Sequence, residues 1–269
     1  MTETAVPVPP CSPEEVTAAV AFVEAGATLA LSGFRGDALD TEWKGDGTPV
    51  THFDKAVERQ LREAILGLYP DDGILGEEED DLDGSSGRLW VIDPIDGTDP
   101  YSRGIVTWGT LVACNDEHGP LLSIVCCPWA NETVVAGRGL GTTLNGVRAT
   151  VSDRTELNGA VVATSGIEWW PAGALDAVHA AGVKVKTWGN AYALAIAATG
   201  RVDAFFDAQV KPWDLGPAPL IATEAGGVFG DLDGNPHIYG GSGIIASPAL
   251  FEPLRALLQG SGGSAAFHR

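Results

Sequence analysis

Residues 90–104 read WVIDPIDGTDPYSRG, and three aspartates, Asp93, Asp96 and Asp99, follow one another closely after an apolar run. Carboxylates this close repel unless a cation or solvent separates them. In Asp93-Pro94-Ile95-Asp96-Gly97-Thr98, Pro94 fixes φ and removes a backbone donor, while Gly97 permits a tight turn. The carboxylates of Asp93 and Asp96 and the Ile95 carbonyl can then point inward together, an oxygen set suited to Mg²⁺. An Asx-type turn with surface carboxylates is the plainer alternative. Gly97-Thr98-Asp99-Pro100 reads as a helix start with Pro100 in the first helical position, and such an end attracts anions through its free N–H groups and dipole. Metal ligands beside an anion cradle suggest phosphate-ester hydrolysis by metal-assisted attack of water.

Working outward, residues 89–92 read as a short buried strand that delivers these acids. Upstream, Ser12-Pro13-Glu14-Glu15 is a helix start, with a helix running to about Leu31. A second helix follows Thr51, with Phe53, Val57, Leu61 and Ile65 on one stripe. Downstream, TWGTLVAC, LLSIVCCP and ETVVAGR read as successive strands, and Asn145-Gly146 as a hairpin turn. After about Thr150 strands and helices alternate, with a helix from Asp214 to about Ala225 and a last one from Pro248. Antiparallel strands followed by βα alternation predict two mixed α/β halves, residues 1–150 and 151–258, with a flexible tail over 259–269.

Composition narrows the function. The 269 residues carry 36 acidic against 16 basic side chains, a formal charge of -20. That surface repels nucleic acid, anionic lipid and phosphate esters alike, unless bound cations invert the local field. No apolar run approaches the roughly 20 residues that span a bilayer, and the N-terminus lacks the basic and apolar regions of a secretory signal. Cys11, Cys114, Cys126 and Cys127 show no zinc-like spacing with the five histidines and read as core residues of a protein kept reduced, as in the cytoplasm. GRGLG, near residue 139, has no helix after it and reads as turns.

GEE at 76–78, WVIDPIDGT and WDLGPAPLIATEAGG match, in order and spacing, the three signatures of the inositol monophosphatase superfamily. The segment KGDGTPVTHFDKAVERQLREAI fits its upstream element, and the chain resembles this superfamily over about residues 12–258. VTWGTLVAC, GRGLGTTLNGVRATVSD and AQVKPWDLGP look most like the bacterial histidinol-phosphate phosphatase type. The resemblance implies a layered αβαβα sandwich, two to three Mg²⁺ ions with Mn²⁺ as a substitute, a small phosphate ester as substrate, a homodimer and a cytoplasmic setting.

Carried onto this sequence, it implies metal ligation by Glu77, Asp93, Asp96, Asp214 and the Ile95 carbonyl. Asp96, Gly97, Thr98 and Asp214 would meet the phosphate, and Thr98 with Glu77 would orient the attacking water. Asp207 stands where relatives often place an acid against the substrate's polar end. Relatives often carry Asp where Thr48 stands, to work with the motif threonine; here the neighbouring acid is Asp46, two residues earlier. Trp169, Trp170 and Trp188 are candidates for a pocket border or for core, and Arg103 for an anion contact or the surface. L-histidinol phosphate, with its ammonium and imidazole, suits an acidic pocket containing Asp207 or Asp99, with a polyol phosphate such as inositol 1-phosphate as the alternative. A phosphorylated intermediate of a specialised biosynthetic pathway is a third substrate, and a catalytically inactive binding relative is the reading from a different class.

Overall fold

A computed structural model describes residues 8–36, 41–43, 45 and 49–260. The first half runs α1 (Pro13–Gly33), β1 (Thr41–Trp43), β2 (Pro49–Thr51), α2 (His52–Leu68), β3 (Gly73–Gly76), β4 (Leu89–Asp96) and α3 (Thr98–Ser102). It continues with β5 (Gly109–Asp116), β6 (Gly119–Cys127), β7 (Glu132–Gly137), β8 (Gly141–Leu144) and β9 (Val147–Arg148). The second comprises β10 (Val161–Ala163), α4 (Ala174–Ala180), β11 (Lys184–Lys186), α5 (Asn190–Ala198), β12 (Ala204–Ala208), α6 (Pro212–Leu215), α7 (Ala218–Glu224), β13 (Val228–Gly230), β14 (Ser242–Ala246) and α8 (Pro248–Leu258).

The strands β3 to β9 form one sheet in chain order, antiparallel except for the parallel pair β3–β4. A second sheet has the order β11-β10-β12-β14-β13. Helices α1 and α2 cover the outer face of the first sheet, α5 and α7 lie between the sheets, and α4 and α8 cover the second. The predicted αβαβα layering follows. Helix α5 shows why the middle layer is helical: seven of its nine residues, six of them alanine or leucine, are buried, as a helix between two apolar sheet faces requires. Its small side chains let both sheets approach.

Local signals mostly decide the helix starts. Ser12 Oγ accepts from Glu15 N and Glu15 Oε2 accepts from Ser12 N, a reciprocal cap. Thr51 and Asp54 do the same for α2. The Asn145-Gly146 turn has both residues at positive φ, 49° and 78°, as the tight hairpin needs.

Several expectations change. Strand β4 extends through Asp96 instead of ending at Ile92, because a bulge absorbs Pro94 (below). Helix α3 begins at Thr98 with Gly97 as its cap, so Pro100 occupies the third helical position, where a missing N–H also costs no intrahelical bond. The helix expected from Asp214 starts two residues earlier, at Pro212, and breaks into α6 and α7 around Gly216-Pro217. Helix α1 is long and apolar enough, by length and composition, to cross a bilayer, although its three glutamates leave it without an uninterrupted apolar run of about 20 residues. Here one face of α1, including Phe22, Val23, Ala27 and Ala30, is buried against α2 and the first sheet, while Glu14, Glu15 and Glu24 ride on it. All four cysteines are buried and free, as expected. Of the expected C-terminal tail, residues 261–269 lie outside the described residues.

Candidate active site

The acids gather where the ends of β3 and β4 meet the starts of α3, α5 and α6. In the parallel pair, Gly76 stands opposite Ile92, so Glu77, the first residue past the end of β3, comes beside Asp93 of β4. In β4, Asp93 pairs with Leu111 and Asp96 with Gly109: three steps on one strand against two on its neighbour. That extra residue is a β-bulge. Side chains alternate faces along a regular strand, so residues three apart would diverge; the bulge turns Asp96 back to the face of Asp93. Pro94, with no N–H to give, sits in the bulge, and its carbonyl accepts from Thr110 Oγ1 at 2.9 Å.

Asp214 completes the group from α6. It stands in the third helical position and not, as expected, at the helix start; one oxygen accepts from Lys211 N at 2.7 Å. Capping and facing the cluster coexist. One carboxylate oxygen each of Asp93, Asp96 and Asp214 can be chosen so that all lie within 4.8 Å of one another. Asp93 is 1% exposed, and its Oδ1 has no hydrogen-bond partner among the described residues. The Asp93 carboxyl is pushed well up, first by burial and then by Glu77, Asp96 and Asp214. Asp96 is raised by burial and by Asp214, Asp207 and Glu77. Burial lifts Asp214 to about 6 against the pull of the Lys211 N–H. A buried carboxylate oxygen without a donor, among like charges, fits a hard divalent cation.

Gly97 has φ 92°, and a Cβ on it would lie 3.1 Å from the Asn190 side chain, so glycine is required at this turn. Thr98 follows with its hydroxyl held between Asp54 Oδ1 at 3.0 Å and the Ile95 carbonyl at 3.1 Å. Asp54 is fully buried and accepts also from Thr51 N and Thr51 Oγ1, at 2.8 and 2.6 Å. Burial lifts its carboxyl to about 6. Sequence reasoning looked to Asp46 or Thr48 as the partner of the threonine; both lie outside the described residues, and the acid on Thr98 is Asp54. The Thr51-x-x-Asp54 capping box was its local signal, but capping alone does not announce a second bond to a residue 44 positions on.

Asp207, at the end of β12, is 6% exposed and heavily engaged. It accepts from Thr164 Oγ1 at 2.7 Å, Ser165 N at 2.6 Å and Ser165 Oγ. Ser165 Oγ in turn accepts from Asn190 N at 2.8 Å. Thr164, Ser165 and Asn190 were not singled out from sequence; only the pairing of β10 beside β12 brings the first two to Asp207. A cavity of about 170 Å³ opens here, lined by Asp96, Asp207, Asp214, Ser165, Asn190 and Trp169 among others. A larger groove of about 780 Å³ between α1 and β6–β8 contains none of these acids.

The remaining candidates separate cleanly. Asp99 turns to the surface, where both its oxygens accept from Arg103 Nε at 2.9 and 3.0 Å, and the two side chains are half exposed or more. Neither belongs to the acidic cluster. Trp169 borders the cavity, Trp170 is core against Phe206, and Trp188 is exposed. GRGLG is a turn, with Gly139 N and Gly141 N both donating to Glu224 at 2.7 Å.

Comparison with known proteins is consistent with this arrangement. The model of the inositol monophosphatase family matches residues 12–261. The chain is 32% identical over 233 residues to a histidinol-phosphatase of Chlorobaculum parvum, covering 85% of this chain and 90% of that one. It is 33% identical over 236 residues to the Nus factor SuhB of Haemophilus influenzae, covering 84% and 88%. Among solved structures, extragenic suppressor protein SuhB from Bartonella henselae superposes with a TM-score of 0.83 at 26% identity, over 93% of this chain and 100% of that one.

Proposed function

Since this chain belongs to the inositol monophosphatase family, we propose that it is a Mg²⁺-dependent phosphomonoesterase acting on a small cationic phosphate ester, L-histidinol phosphate first among them. The observation that carries the reaction class is Asp93 Oδ1, buried without a donor amid Glu77, Asp96 and Asp214. Glu77, Asp93, Asp96, Asp214 and the Ile95 carbonyl would hold two to three cations. When bound, the cations neutralise the ester, acidify water and stabilise the leaving alkoxide.

The protein's own groups do the rest. The first N–H groups of α3, at Gly97 and Thr98, have no partner within the helix and orient the phosphate. Thr98 Oγ, donating to Asp54 Oδ1, places a lone pair for the attacking water with Glu77 on its other side. Asp54 accepts the proton that this exchange releases, and its raised pKa suits that work near neutrality.

For the substrate, support comes from the charge and shape of the cavity and from the histidinol-phosphatase relative. Asp207 contributes its negative charge behind Ser165, and Trp169 offers a face to a cation or an imidazole. Inositol 1-phosphate, uncharged beyond its phosphate, gains nothing from either. A homodimer in the cytoplasm remains the setting that the family resemblance suggests. Phosphate release is measured with L-histidinol phosphate, inositol 1-phosphate and glycerol 2-phosphate, with Mg²⁺ and with chelator. We expect Mg²⁺-dependent turnover, fastest on the first. Equal slow rates on all three remove the substrate assignment, and turnover indifferent to chelator removes the reaction class.

A further inference from the structure

Helix α2 carries a second buried pair one turn beyond Asp54. Glu58 is fully buried and Arg62 is 8% exposed, and Arg62 Nε donates to Glu58 Oε1 at 2.8 Å. Together they grip the backbone that follows Glu77. Glu58 Oε2 accepts from Glu78 N at 2.8 Å and Oε1 from Glu79 N at 3.1 Å. Arg62 Nη2 donates to the Glu79 carbonyl at 3.0 Å and Nη1 to the Asp80 carbonyl at 3.1 Å. Four consecutive peptide groups, from 77–78 to 80–81, are thus fixed to two side chains of one helix.

The fit is tight on the other side of Glu77 as well. A Cβ on Gly76 would lie 2.1 Å from Glu58 Oε1 and 2.6 Å from Arg62 Nη2, so glycine there makes room for the pair. Beyond the gripped peptides, Ile74 and Leu82 exchange both backbone hydrogen bonds at 2.8 Å, closing the loop on β3. Asp54, Glu58 and Arg62 are spaced four apart and so share one face of α2. One rigid helix therefore sets both Thr98 and the loop of Glu77.

Burying an ion pair costs desolvation that a well-packed apolar pair avoids, so stability alone does not explain it. We propose that Glu58 and Arg62 are positioning residues: they hold Glu77 at the distance from Asp93 that the cations require, and so tune cation affinity. This rests on the reading of Glu77 as a metal ligand. Groups that orient ligands from behind typically change metal affinity by about 10–100-fold when altered.

The test is Mn²⁺ binding to the metal-free full chain without substrate, followed by the EPR signal of the free ion, beside thermal melting in chelator. Glu58→Gln places an amide donor against the Glu78 or Glu79 N–H, which it cannot accept. We expect its Mn²⁺ dissociation constant to rise by about tenfold or more. Leu61→Ala, a cavity in the apolar side of α2, lowers the melting temperature and leaves that constant unchanged. Glu58→Gln that melts lower but binds Mn²⁺ within twofold of wild type overturns the proposal. Arg62→Lys keeps the charge but not the fork onto residues 79 and 80; should Glu58→Gln fail to fold, an unchanged constant in Arg62→Lys overturns it equally. Wild type whose Mn²⁺ binding is untouched by Glu77→Gln instead removes Glu77 as a ligand, a different failure.

Discussion

Asp54 accepts three hydrogen bonds from two threonines, two from Thr51 and one from Thr98 Oγ1, while burial raises its carboxyl to about 6. Thr51 anchors the acid and leaves Oδ1 to Thr98, so the acid is poised for a proton rather than spent on structure. Asp54→Asn keeps the shape but removes the acceptor. Its kcat should fall by about 10²–10⁴-fold, with Mg²⁺-induced thermal stabilisation close to wild type. The sign of the pH effect follows: below its pKa the carboxyl is protonated and takes no proton, so wild-type kcat is lost as pH falls through about 6. Bound cations would move that limb lower. A variant with wild-type kcat and the same acid limb would show that Asp54 only caps α2. Asp99 makes the contrast: it is an acid in the same motif, yet its Arg103 partner and exposure leave it a surface ion pair of little energetic weight.

At the scale of elements, the site depends on two irregularities: the bulge in β4 and the left-handed turn at Gly97. Gly97→Ala puts a side chain at φ 92° and a Cβ 3.1 Å from Asn190. The strain is of order 1–3 kcal/mol, and its relief moves the start of α3. We expect a melting temperature lower by about 2–10 °C and a larger loss in kcat/KM than that destabilisation explains, measured where the variant is fully folded. Wild-type kcat/KM would mean that the turn is not part of the phosphate cradle. These irregularities also mark the limit of sequence reading. The caps at Ser12 and Thr51 and the turn at Asn145-Gly146 were legible because their hydrogen bonds close within a few residues. Strands β4 to β7 of the first sheet were legible from their apolar runs and turn chemistry, whereas the seven-strand order was not. The bulge was not, since a run ending in Asp-Pro looks like a strand end, and only pairing with β5 shows that it continues. Asp93 and Asp96 were recognisable as a pair, whereas Glu77 and Asp214 needed the family's motifs. The bond from Thr98 to Asp54 and the grip of Glu58 on residues 78 and 79 span distances in sequence that no local pattern encodes.

The whole molecule carries a formal charge of -20, and Asp54, Asp93, Asp96 and Asp207 of the candidate site are buried. Asp54, Asp207 and Asp214 are raised from 3.8 to about 6, and Asp93 and Asp96 are also pushed well up, burial being the largest cause in each. A carboxyl whose pKa is raised by folding binds more protons folded than unfolded. Between the unfolded value near 4 and the folded values, stability therefore falls as pH rises. Asp116, lowered by Arg138, has the opposite sign, but its contribution is lost only at lower pH. Metal-free protein should accordingly melt at least about 4 °C higher at pH 5.5 than at pH 7.5. Saturating Mg²⁺ should reverse the order. Cations supply the missing positive charge where the carboxylates are ionised, and a ligand that binds only the folded state stabilises by mass action. At pH 5.5 protons compete for the same oxygens, so the gain shrinks. Asp93→Asn removes one charge from the centre of the cluster; in chelator it should melt above wild type at pH 7.5, with a flatter pH dependence, and gain little from Mg²⁺. Melting curves across pH, with chelator and with Mg²⁺, check all of this together. A metal-free protein more stable at pH 7.5 than at 5.5 would mean that solvent or hydrogen bonds already relieve the cluster, and its demand for cations would lose its physical basis.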